Sequence, residues 1–176
     1  MAAEVLYSPL SDQDFEALAT ALHKEAVYEY IGGMPSRADF ELWLRRSLSG
    51  PPTAATGERW TSVTVRMAET GEVIGRLEAN AHDQLAEVAF LYSPKLWGHG
   101  YASRGLLWLH DHLRQFEDVQ SLWATTHPEN QRSTSLLLKC GYVPAPVQDL
   151  PLLYSYEKGD VVFRRSVALY LPKQEQ

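Results

Sequence analysis

The chain has a single cysteine, Cys140, so it can close no internal disulfide and offers no cysteine-based zinc site. One lone thiol is the usage of a reducing compartment, and a cytoplasmic location is the expectation. No apolar run approaches the roughly 20 residues that span a bilayer. The opening residues Met1, Ala2, Ala3 and Glu4 carry neither a basic stretch nor an apolar core, so no signal peptide is expected. Positive charge is in deficit, with 16 Lys and Arg against 22 Asp and Glu and a net charge of −6. Nucleic acid and anionic membranes want a basic footprint, so neither is an expected partner. The balance is compatible with a cationic partner such as an amine, or serves solubility alone. No internal repeat and no Pro/Ser-rich linker divides the chain.

What is present is ordinary globular composition, with 45% hydrophobic and 22% charged residues. A length of 176 residues fits one domain over 1–176. Glu4 to Ser8 reads as a strand. Ser11 and Asp12 look like helix-start residues, followed by a helical stretch from about Asp14 to Tyr30. Gly32, Gly33 and Pro35 break it, and Ser36 offers an N-cap for a second helix through Phe40, Trp43 and Leu44. Pro51 to Gly57 is a loop by composition. Trp60 to Met67 and Val73 to Ala79 form a hairpin around Glu69, Thr70 and Gly71. Leu85 to Tyr92 is more continuously apolar, as a central strand buried on both faces should be.

From Tyr101 to Phe116 the residues Ala102, Leu106, Leu109, Leu113 and Phe116 recur at helical spacing. Val119 to Thr125 is a strand. Asn130 opens a short helix that Gly141 closes. Two further strands are expected near Leu152 to Tyr156 and from Asp160 to Tyr170. The order predicts a mixed α/β domain with antiparallel hairpins at the front and a β–α–β crossover in the middle.

The most informative segment is Trp97, Gly98, His99, Gly100, Tyr101, Ala102 and Ser103, between the buried strand and the amphipathic helix. Such a turn exposes backbone N–H groups at a helix N-terminus, which suits a phosphate or pyrophosphate. A plain tight turn is the alternative. A P-loop is excluded because no Gly-Lys-Ser/Thr follows. A dinucleotide fingerprint would have glycine where Ser103 stands and an acid at the end of the next strand, where Thr125, Thr126 and His127 stand. A serine-hydrolase elbow is excluded because Ser103 sits one position too late before Gly105.

At these residues the chain resembles the GNAT superfamily of acetyl-CoA-dependent N-acetyltransferases, and within it the RimJ/RimL type of ribosomal-protein N-terminal acetyltransferases. Trp97 to Ala102 is similar to the branch's Trp-Gly-x-Gly-Tyr-Ala. Glu72 to Gly75 resembles its hairpin strand, Glu87 to Phe90 its central strand, and Asn130-x-x-Ser133 with Leu137, Lys139, Gly141 and Tyr142 its later helix. Arg104 stands where the branch usually has Glu, and Leu137 where many members carry a tyrosine general acid.

The resemblance implies a fold with a mixed central sheet, antiparallel N-terminal strands, a splayed central strand and flanking helices. It implies acetyl-CoA as donor, no metal, and direct attack by a primary amine in a ternary complex. The acceptor is a protein N-terminal α-amine or a small-molecule amine. The pantetheine arm would lie along the backbone of Phe90, Leu91 and Tyr92, and the pyrophosphate on the turn from Trp97 to Ser103. Asn130 and Ser133 would meet the cofactor arm, with Ser133 near the sulfur, where it would steady the thiolate; both also read as N-cap and first-turn residues. Tyr142 and Tyr154 are other candidate proton donors. Lys95, Arg104 and Arg132 are candidates for the 3′-phosphate, or solvated surface charges. A homodimer is what the branch suggests.

Glu87 is the first candidate for a general base, directly or through water, since an amine near pKa 10 is mostly protonated at neutral pH. Its structural alternative is a cross-strand pair with an arginine such as Arg76. Tyr28, Tyr30, Trp43 and Tyr154 are expected around the acceptor. Two other readings compete: an acyl-CoA-binding sensor or interaction module without turnover, and a nucleotide-binding oxidoreductase.

Overall fold

In a computed structural model, residues 3–52 and 57–167 are described. The strands are β1 (Val5–Pro9), β2 (Arg59–Met67), β3 (Val73–His82), β4 (Leu85–Tyr92), β5 (Ser121–Thr126), β6 (Val143–Pro144) and β7 (Val161–Ser166). Among the described residues they form one seven-stranded sheet in the order β1-β2-β3-β4-β5-β7-β6. Only β4 and β5 run parallel, joined by a crossover through helix α4 (Tyr101–Leu113). The remaining helices are α1 (Phe15–Leu22), α2 (Glu25–Tyr28), α3 (Arg37–Ser49) and α5 (Gln131–Lys139).

Two apolar layers sandwich the sheet. On one face Leu77, Ala79 and Ala81 of β3 and Val88 of β4 pack with Leu106, Leu109 and Leu113 of α4. The fully buried leucines here each contribute about 1.5–3 kcal/mol of transfer free energy. On the other face, Leu18 and Leu22 of α1 and Phe40 and Leu44 of α3 form a second core, against which Leu91 of β4 packs.

Most element boundaries agree with expectation, and the departures have local causes. The expected helix from Asp14 to Tyr30 is two helices, because His23 leaves the helical region at ψ 71°. Its Nε2 is 2.8 Å from the Pro35 carbonyl oxygen. Residues 152–156 form no strand; the backbone N–H groups of Tyr154 and Ser155 go instead to the Glu87 carboxylate. The pairing partner of β7 at that edge is the two-residue β6. The expected last strand ends at Ser166; Tyr170 lies outside the described residues, as does part of the Pro51–Gly57 loop.

Two features of the sheet position the site. Asp83 and Gln84 both have positive φ, 45° and 65°, and form the two-residue turn that joins β3 to β4. Such a turn matches the strand twist and fixes the register. It sets Glu87 opposite Asn80, Ala89 opposite Glu78 and Leu91 opposite Arg76. The second feature is the end of the parallel ladder at Glu87↔Trp123. Beyond Glu87, β4 pairs with β3 alone, so the sheet splays open over residues 88–92.

Candidate active site

The splay is the wall of a cavity of about 540 Å³. Phe90, Leu91, Tyr92 and Trp97 line it on the strand side, Asn130, Ser133 and Leu137 on the α5 side, and Arg76 and Glu78 deeper in. A second cavity of about 280 Å³ continues it over the glycine turn, and Ser133, Arg132 and Trp97 belong to both. A third, of about 360 Å³, opens on the α1/α3 face of the sheet and shares Trp43, Ser47, Glu78 and Ser155 with the first. One trough therefore runs from the glycine turn, through the gap between β4 and β5, to the opposite face.

At the turn, Gly98 and Gly100 have φ of 81° and 80°. L side chains pay for that left-handed conformation, and glycine does not. Gly100 is the N-cap of α4, and no side chain caps that end. The N–H groups of Gly98, Gly100, Tyr101, Ala102 and Ser103 find no backbone acceptor among the described residues. Several free N–H groups at the positive end of a thirteen-residue helix are able to hold an anion. The Trp97 indole N–H donates to the Tyr92 carbonyl oxygen at 2.9 Å and ties the turn to the end of β4. Arg132 lies over the Trp97 ring, its Cζ 4.0 Å from the centroid.

Of the expected phosphate cations, Arg132 reaches this trough. Lys95 is exposed, 4.0 Å from Glu72, and lines none of these cavities. Arg104 donates to the Ala3 carbonyl oxygen at 2.9 Å and stacks over Tyr101, fastening the N-terminal segment to α4. Lys139, which had no cation role in the sequence reading, lines the glycine-turn cavity.

Asn130 Oδ1 accepts from the Ser133 N–H at 3.2 Å, which is the N-cap bond expected for α5. The Ser133 hydroxyl has no protein partner among the described residues and stands where two cavities meet. Leu137 is buried in the cavity wall. Tyr142 lines none of the three cavities; its phenol is 2.8 Å from His110 Nε2. His110 Nδ1 faces an Arg165 N–H donor, so Nε2 carries the ring proton and donates to Tyr142. Burial, with Arg165 and Arg114 nearby, pushes His110 down to about 3, and it stays neutral at physiological pH. Tyr154, by contrast, lines the third cavity and is 55% exposed.

Glu87 is buried and fully engaged. Its Oε1 accepts from the Ser155 N–H at 2.9 Å and the Ser155 hydroxyl at 2.6 Å; its Oε2 accepts from the Tyr154 N–H at 2.9 Å and meets His82 Nε2 at 2.7 Å. His82 in turn meets Asp83 through Nδ1 at 3.0 Å. Burial pushes the Glu87 carboxyl up, but the bonds from Ser155, Tyr154 and His82 outweigh it and hold it below the usual range. Burial likewise pushes His82 down, and its two carboxylate partners outweigh that and raise it. Arg76 is not the partner of Glu87; it donates through Nη2 to Glu78 at 2.5 Å and to Ser47 at 2.6 Å.

Glu78, which lines both the first and the third cavity, is not among the site residues expected from the sequence. Its signal is the alternation Arg76-Leu77-Glu78-Ala79-Asn80-Ala81-His82, which in a strand puts four polar side chains on one face.

The chain matches the family model described as Acetyltransferase (GNAT) domain over residues 4–143. No curated protein matches it in sequence. Its fold is similar to a GNAT-family acetyltransferase from Bacillus anthracis, at 18% identity and TM-score 0.74, covering 94% of this chain and 96% of that one. It is similar to aminoglycoside acetyltransferase AAC(6')-Ib in complex with coenzyme A, at 17% identity and TM-score 0.69, covering 93% and 95%. It is also similar to spermidine N-acetyltransferase from Vibrio cholerae in complex with CoA and spermine, at 15% identity and TM-score 0.68, covering 92% and 95%. A splayed mixed sheet, a bare helix N-terminus behind a glycine turn and a family match over most of the chain agree: this chain belongs to the GNAT acetyltransferases.

Proposed function

We propose that the chain is an N-acetyltransferase that uses acetyl-CoA and a primary amine, in one ternary complex, and that it is of the RimJ/RimL type. The observation that carries the reading is the continuous trough linking a diphosphate-type anion site to an acceptor-sized cavity through the open edge of β4. The branch assignment rests on Trp97 to Ala102. Acetyl-CoA fits the residues present: free N–H groups on the turn from Gly98 to Ser103, with Arg132 and Lys139 beside them, for its phosphates, and the open backbone of Phe90, Leu91 and Tyr92 for its arm. His99 is part of the same turn and contributes backbone; its ring Nδ1 is 3.0 Å from the Trp97 carbonyl oxygen. When bound, acetyl-CoA supplies an activated acetyl group whose C–S bond breaks as the C–N bond forms.

The remaining tasks fall to the chain's own residues. The nitrogen turns acidic as it bonds to the acetyl carbon and must then lose a proton; Glu87, although held below the usual carboxylate range, is the base that takes it, acting through Ser155. Ser155 Oγ takes the amine proton as its own hydrogen passes to Glu87 Oε1, over the existing 2.6 Å bond. Ser133, with a free hydroxyl on the cavity wall, donates a hydrogen bond to the departing sulfur. A thiol leaves as thiolate with a pKa near 8.5, so the leucine at position 137 costs little. Asn130 fixes the first turn that carries Ser133.

The test is thiol release from acetyl-CoA with peptides bearing free N-termini, polyamines, amino acids, arylalkylamines and aminoglycosides as acceptors. Release with one class is expected, together with a large loss of turnover, on the order of 10²-fold, in Glu87→Gln and a smaller one in Ser155→Ala. Acetyl-CoA binding without release for any acceptor would instead favour the non-catalytic sensor.

A further inference from the structure

The third cavity is the one part of the trough that donor binding does not explain. Three aromatic rings border it: Trp43 from α3, Trp60 from β2 and Tyr154 from the loop over Glu87. Trp43 is 44% exposed, so its indole is open to a ligand in this cavity. Trp60 is pinned, its indole N–H donating to Glu58 at 3.1 Å. At the inner end, where this cavity joins the first, stands Glu78.

Glu78 differs from Glu87 in the respect that matters for a ligand. Oε1 is held by Arg76 at 2.5 Å, while Oε2 has no hydrogen-bond partner among the described residues. Its side chain is 35% exposed, against 6% for Glu87. Arg76 is itself buried and is fixed to Ser47 of α3 at 2.6 Å, so the Glu78 carboxylate is anchored on one side and open on the other. Its cross-strand neighbour Ala89 is exposed in the middle of a central strand, because the trough passes over it.

We propose that Glu78 Oε2 receives the ammonium group of the acceptor, and that Trp43, Trp60 and Tyr154 enclose a flat apolar stem, so the acceptor class is an arylalkyl primary amine. The inference rests on the transferase reading above and names the acceptor class for that same site. Trp and Tyr faces attract both apolar rings and cations, and the free carboxylate oxygen fixes which end of the ligand points inward. The Arg76 charge beside Glu78 has a use here. A lone carboxylate would hold the ammonium in its protonated form, whereas the Arg76–Glu78 pair is neutral overall and lets the proton leave. Glu78 thus binds the nitrogen, and Ser155 with Glu87 removes its proton.

The experiment is a titration of the ¹⁵N-labelled chain with 2-phenylethylammonium, with and without saturating CoA, following the indole N–H signals of Trp43 and Trp60. Trp97, on the glycine turn, reports CoA separately. The expected result is movement of the Trp43 and Trp60 signals, with roughly tenfold weaker binding for Glu78→Gln and for the neutral isostere 2-phenylethanol. The full ¹H–¹⁵N spectrum of Glu78→Gln shows whether it is folded. Trp43→Leu, which keeps the carboxylate, is expected to weaken the aromatic probe more than it weakens propylammonium. The proposal is overturned by still Trp43 and Trp60 signals in the native chain, by equal affinity for the alcohol, or by unchanged affinity in Glu78→Gln. Ammonium binding without any thiol release sinks the transferase reading alone. Thiol release with a native-like Glu78→Gln affinity sinks the ammonium site alone.

Discussion

The carboxylate of Glu87 and the imidazole of His82 meet at 2.7 Å, on paired strands joined by the turn at Asp83 and Gln84. The pair stabilises the fold over a pH window that its shifts define. Glu87 is lowered from 4.5, so its contribution is present above that value and is lost as pH falls through the folded value. His82 is raised from 6.5, so its contribution is full below 6.5 and is lost as pH rises through the folded value. Thermal unfolding followed from pH 5 to 9 is expected to show a decline above about 6.5 that His82→Gln removes. An identical decline in that variant contradicts the assignment.

Tyr92 and Gly105 form a tight packing pair. A Cβ at position 105 would stand 1.9 Å from the Tyr92 hydroxyl oxygen, and that hydroxyl is buried without a hydrogen-bond partner. Gly105→Ala is therefore expected to destabilise the fold by about 1–3 kcal/mol. Tyr92→Phe alone removes an unsatisfied polar atom and costs little. The double variant Gly105→Ala/Tyr92→Phe should recover most of the loss. Denaturant unfolding of the four proteins measures the coupling, and additive effects would refute it.

Gly98 and Gly100 separate a backbone cause from a contact cause. A Cβ at either position meets nothing within 4 Å, yet both have φ near 80°. Alanine at either site is expected to cost about 1–2 kcal/mol in stability through the left-handed backbone. It is also expected to weaken acetyl-CoA binding at least severalfold, because the turn's N–H groups lose their alignment. Calorimetric titration with acetyl-CoA checks this, and native affinity in both variants would remove the turn from the binding site.

The readable parts of the sequence were those governed by local chemistry. The apolar run from Leu85 to Tyr92 marked β4 to the residue, and Asn130 marked its own helix start. The glycine pair marked a left-handed turn at a helix N-terminus, because the required backbone conformation is local. What lay beyond reach depended on register. Whether Glu87 meets Arg76 or His82 is set by a two-residue turn, and a slip of one residue would have reversed every face. Residues 152–156 have strand-like composition, yet the N–H groups of Tyr154 and Ser155 are claimed by the distant Glu87 carboxylate. Glu78 was visible only as one tooth of an alternating pattern, and its open oxygen follows from Arg76 reaching α3.

The most direct test of the account is to find where the acetyl group goes. The chain would be incubated with acetyl-CoA labelled in the acetyl group and the amine panel, and the products separated and identified by mass spectrometry. The account predicts label on the nitrogen of a primary amine, in amounts matching the thiol released and reduced sharply in Glu87→Gln. Label recovered only as free acetate, or retained wholly on CoA although the chain binds it, would contradict the transfer to an amine.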